Sequence, residues 1–91
     1  MTTTSYLIVT PGGDKEEWFE SAAAADAAVA GRLAISPERV EASRRRVTVD
    51  PVVVRRDGAR WRSRQVWSFR SDTTSLRVYE MLQIDEEIYD H

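Results

Sequence analysis

The apolar and polar positions of this chain change rhythm several times. Ser5–Thr10 is a short run of β-formers, with Tyr6–Val9 unbroken apolar inside it. Pro11-Gly12-Gly13-Asp14 breaks the run. Glu16–Glu20 then admits two readings. As a returning strand it points Trp18 and Phe19 to opposite faces, and Ser21 caps a helix from Ala22 to about Ala34. As the start of one long helix, Asp14 is the N-cap with Glu17 three residues on, and Trp18, Ala22, Ala25, Val29 and Leu33 line one side. The strand reading is preferred, because Trp-Phe directly before a Ser and an Ala run suits a strand feeding a capped helix. The Ala-rich segment is helical in either case. Ser36-Pro37 ends it, and Ser36–Arg39 can start one more short turn.

From Arg44 the pattern is that of strands. Val47, Val49, Val52, Val53 and Val54 are β-formers, and Pro51 among them calls for an edge strand or a bulge. Asp57-Gly58 is the strongest hairpin signal in the chain. A two-residue turn there pairs Arg56 with Ala59, Arg55 with Arg60 and Val54 with Trp61. A bulge near Pro51 is then needed to return Val47 and Val49 to the face of Trp61. Residues 60–70 alternate. Trp61, Ser63, Gln65, Trp67 and Phe69 form one set, expected to pack on the helix. Arg60, Arg62, Arg64, Val66, Ser68 and Arg70 form the other, expected to face water. Beyond a polar loop at Ser71–Ser75, Leu76, Val78, Leu82 and Ile84 alternate with Arg77, Tyr79, Met81 and Gln83 as a last strand. A helix is the alternative for 76–84, since Leu76, Tyr79 and Gln83 also share a helical side.

These elements predict an α+β fold. A four- or five-stranded, mostly antiparallel sheet carries one Ala-rich helix on one face, in the order β-β-α-β-β-β or β-α-β-β-β. A length of 91 residues makes 1–91 one domain, with 1–4 and 86–91 expected to fray. So small a domain gains from any further burial, and that keeps a homodimer in view.

Charge changes the picture. Residues 1–43 carry a net −4, residues 44–70 a net +7 and residues 71–91 a net −5. Twelve of the thirteen basic residues are Arg. With abundant Ala and Val this points to a high-GC genome, such as an actinobacterium or one of its phages, so Arg content alone says little about phosphate binding. Candidate binding residues are the basic hairpin positions Arg44, Arg45, Arg46, Arg55, Arg60, Arg62, Arg64 and Arg70.

Chemistry is scarce. The chain has no Cys and one His, His91, so thiolate metal sites and Ser-His-Asp or Cys-His catalysis lack their residues. Gly12-Gly13 lacks the partners of a phosphate loop or a dinucleotide fingerprint. No catalytic residue, metal ligand or cofactor is assigned, and the chain is read as non-enzymatic. The apolar run near its start is too short for a signal peptide or a membrane span, so a cytoplasmic protein without a membrane partner is expected. The preferred function is a small protein-interaction module, accessory or phage-type, binding another protein or a second copy of itself. The alternative is nucleic-acid binding through the Arg-rich hairpin 44–70. An acidic chain, with pI near 5.4, and tryptophans alternating away from the arginines weigh against that alternative.

Overall fold

A computed structural model of the chain describes residues 3–10, 16–72 and 74–84. Among these residues the fold is α+β, with six strands and two helices. In chain order these are β1 (Thr4–Val9), β2 (Glu16–Phe19), α1 (Ala22–Leu33), α2 (Pro37–Ser43), β3 (Arg45–Val47), β4 (Val53–Arg56), β5 (Ala59–Arg70) and β6 (Ser75–Ile84). The sheet order is β2-β1-β6-β5-β3, with β4 also paired to β5, and every pairing is antiparallel. No helix among the described residues is long and apolar enough to cross a membrane.

Glu16–Phe19 is a strand, with Trp18 opposite Leu7 and Phe19 opposite Tyr6. Pairing with β1 decides this over the long-helix reading; Asp14, the N-cap of that reading, and the Pro11–Gly13 break lie outside the described residues. Ser21 caps α1 as expected, its Oγ accepting from the Ala24 N–H at 3.1 Å. Residues 75–84 are likewise a strand, long enough to form a spine with β5.

Two expectations on element number need correction. The short turn after Ser36 becomes a second helix, because Pro37 at the first helical position suits a helix start and Val40 is fully buried beneath it. The valine-rich strand is two strands, because Thr48–Val52 leaves the ladder around Pro51. The sheet therefore has six strands instead of four or five. The backbone at Val52 is rescued from β5: the Ser63 N–H donates to the Val52 carbonyl, and the Val52 N–H donates to Ser63 Oγ, both at 2.9 Å. The Asp57-Gly58 turn has φ of 52° and 78° and sets the anticipated pairs Arg56–Ala59, Arg55–Arg60 and Val54–Trp61.

The largest correction concerns faces. Opposite β6, Ser63 pairs with Met81 but Gln65 pairs with Glu80, so Arg64 is an extra residue in β5. A bulge of one residue exchanges the two sides of everything beyond it. Trp61 and Ser63 therefore share a face with Val66 and Ser68, while Trp67 and Phe69 share the other with Arg62 and Gln65. Of these residues, Trp67 and Phe69 meet the helices. Val29, Ala30, Leu33 and Val40 pack with Ile8, Phe69, Leu76 and Val78, with Trp67 half-buried beside them. Trp61 is buried on the opposite face in a smaller cluster with Leu7 and Met81, flanked by Trp18 and Val54. Val47, opposite Val66, lies on the Trp61 face as expected, but through this bulge in β5 and not through one near Pro51.

Candidate functional site

The bulge divides the basic hairpin. Two half-faces of the sheet are covered, one by the helices and one by the Trp18–Trp61 cluster. The two uncovered halves lie on opposite faces, at opposite ends of β5. Near the Asp57-Gly58 turn, on the helix face, stand Arg55, Arg60 and Arg62, with exposed Val53. Neither Arg55 nor Arg60 is free. Arg64 Nε donates to Glu80 Oε1 at 2.6 Å.

Glu80 is a buried carboxylate, 7% exposed, with the Tyr6 hydroxyl at 3.5 Å from its other oxygen. Burial first, and then the Glu80 charge and hydrogen bond, raise the Tyr6 phenol above its ordinary 10.0. Hydrogen bonding to Glu80 raises the Arg64 guanidinium likewise. Tyr6 therefore keeps its proton at neutral pH and acts as a donor rather than a base. The group is an ion pair with a hydroxyl cap.

Arg44 is drawn into the structure. Its Nη2 lies 2.7 Å from both oxygens of Asp26 on α1, and its guanidinium carbon is 5.6 Å from the Trp67 ring and 5.8 Å from that of Phe69. It thus clamps helix to sheet. Arg46 is exposed at the β3 edge, opposite Trp67.

The remaining sequence candidates, Arg45 and Arg70, meet on the open face near the β5–β6 turn. Arg45, Ser68 and Arg77 are directly paired across β3, β5 and β6, so they form one row on that face. Two antiparallel spacings put the Cα atoms of Arg45 and Arg77 about 10 Å apart, with the Ser68 hydroxyl between them. The next row toward the turn pairs Arg70 with Ser75. The row on the other side runs Val47, Val66, Tyr79 and Leu7, and is apolar apart from the phenol. Arg45, Arg70 and Arg77 are exposed, and none has a carboxylate partner among the described residues.

These positions line an open concavity that runs round the end of the sheet to Leu33, Ile35 and Arg39 on the helix side, and among the described residues Asp72 is its one carboxylate. The site is therefore strongly cationic, with hydroxyls among the guanidinium groups and an apolar shelf beside them. Arg77 was not among the sequence candidates, because it lies outside the basic block. Its alternation in β6 marked it only as a polar position, and the signal appears once β6 is laid beside β5.

Among the described residues no cluster of His, Cys, Asp or Glu could hold a metal ion. No protein-family model, curated protein or solved structure matches this chain.

Proposed function

We propose that this chain is a non-enzymatic interaction module that holds an acidic segment of a partner protein on the open face of its sheet. The observation that carries this reading is the Arg45–Ser68–Arg77 row, with Arg70 beside it and no carboxylate partner among the described residues. Guanidinium groups carried on Cα atoms about 10 Å apart, next to the Val47–Tyr79 shelf, suit an extended peptide in which acidic and apolar side chains alternate. A single-stranded nucleic acid finds less here. Trp18 and Trp61 are packed edge to face on each other at 5.4 Å and Phe69 is buried, which among the described residues leaves Tyr79 as the accessible ring beside the row.

Calorimetric titration of the chain with a synthetic peptide of alternating Glu and Leu tests this, in parallel with duplex and single-stranded DNA. The expected result is micromolar peptide binding, lost at least tenfold in the Arg45→Glu/Arg77→Glu variant. DNA binding with a steep salt dependence, and no peptide binding, would instead establish the nucleic-acid reading.

A further inference from the structure

The basic row has an occupant of matching chemistry in the chain's own sequence. Asp85-Glu86-Glu87-Ile88-Tyr89-Asp90 follows β6 and combines four carboxylates with an Ile-Tyr pair. The open face offers the complement, with Arg45, Arg70 and Arg77 exposed beside Val47 and Tyr79. We propose that this segment of one copy docks on the open face of a second copy, in a reciprocal two-fold dimer. The inference rests on reading that face as a site for an acidic protein segment.

Reach decides which copy supplies the segment. Arg77 lies seven residues before Ile84 on β6. At about 3.4 Å per residue, the row is roughly 24 Å back along the strand from Ile84. Glu86 and Glu87 extend no more than about 10 Å beyond Ile84, and Asp90 no more than about 20 Å, before any length is used to reverse direction. The segment therefore falls short of the row in its own chain. A two-fold axis perpendicular to β6 sets two copies antiparallel and brings Ile84 of one level with Ser75 of the other. The acidic segment then starts level with the partner's β5–β6 turn and has to fold back only two residues, roughly 7 Å, to reach Arg77, against roughly 24 Å in its own chain, and symmetry makes the same contact twice. Carboxylate–guanidinium pairs form the rim, and the Ile-Tyr pair meets the apolar shelf.

Sedimentation equilibrium of the full chain tests the dimer, with two charge-reversed variants alongside. These are Arg45→Glu/Arg77→Glu in the row and Glu86→Arg/Glu87→Arg in the segment. The wild type is expected to be a dimer at low salt, and each variant alone is expected to raise the dimer dissociation constant at least tenfold. An equimolar mixture of the two is expected to recover the dimer. One contact is then native, and the other pairs the reversed row with the reversed segment. Circular dichroism reports whether each variant is folded. A wild type that stays monomeric at high micromolar concentration and low salt overturns the proposal. So does a mixture of folded variants that fails to associate, or a dimer indifferent to both changes. If the wild type is monomeric but the Glu-Leu peptide still binds through Arg45 and Arg77, self-association falls while the reading of the face stands. If neither binds, both fall.

Discussion

Arg56 and Trp18 stand near opposite edges of the sheet, yet the Arg56 guanidinium carbon lies 4.5 Å from the Trp18 ring. Four strand spacings separate β4 from β2, about 19 Å if the sheet were flat. The sheet must therefore curl toward this face, and the Trp18–Trp61 contact three strands apart fills the hollow. The curl covers one half of a face that no helix reaches.

Removing the edge-to-edge contact tests how much of the curl it supports. Arg56→Ala should cost about 1 kcal/mol, the scale of a partly exposed cation–π pair. Trp18→Ala should cost about 3 kcal/mol, as expected for loss of a large packed ring. Urea unfolding of both variants measures this. Equal losses would mean that the guanidinium and the ring packing act as one unit.

The end of α1 carries two correctable weaknesses. Gly31 lies in the helix, and a Cβ added there meets nothing within 4 Å, so Gly31→Ala should stabilise by about 1 kcal/mol. Ala34 closes the helix in the left-handed conformation, with φ 56° and ψ 44°, while the Ile35 N–H donates to the Ala30 carbonyl at 3.1 Å. Glycine is at ease there, so Ala34→Gly should also stabilise by about 1 kcal/mol. Thermal unfolding should show a rise of about 4–8 °C for each.

Ser63 holds the break between β3 and β4. Ser63→Ala removes the acceptor for the Val52 N–H and should cost about 1 kcal/mol. Hydrogen exchange at Val52 should accelerate, while amides in the β1–β6 ladder keep their protection. Unchanged exchange at Val52 would show that its N–H does not depend on the serine.

The raised Tyr6 pKa predicts a change at alkaline pH. In the unfolded chain the phenol ionises near 10.0, and in the folded chain it ionises higher. The folded state therefore holds the proton longer. The associated stability is complete below pH 10.0 and is lost as pH rises through the folded-state value. Tyr6→Phe should remove this part of the alkaline loss in urea titrations at a series of pH values. An identical alkaline slope in wild type and variant would discount the Tyr6–Glu80 contact.

Local signals in the sequence were enough for much of the secondary structure. Ser21 before an alanine run specifies a capped helix, and Asp57-Gly58 specifies a two-residue turn with its pairing register, because each acts through backbone within a few residues. Short-range pattern likewise favours strands over helices at Glu16–Glu20, where Trp-Phe directly precedes the helix cap, and at 76–84, where apolar and polar residues alternate. The candidate site was legible only in part, with Arg45 and Arg70 among eight basic positions and Arg77 outside them.

What only the tertiary structure decided is which side each residue of β5 faces. Alternation from Trp61 to Phe69 is continuous in the sequence, since both sides of the strand carry a mixture of aromatic and polar residues. The bulge at Arg64 exists because β5 must pair with β6 on one edge and with both β3 and β4 on the other, across a segment that leaves the ladder at Pro51. That demand comes from three strands distant in sequence. One inserted residue then sends Trp67 to the helices and Trp61 to the curled face. It also splits one apparent cationic surface into two, and brings Arg45 and Arg70 to the face where Arg77 completes the row.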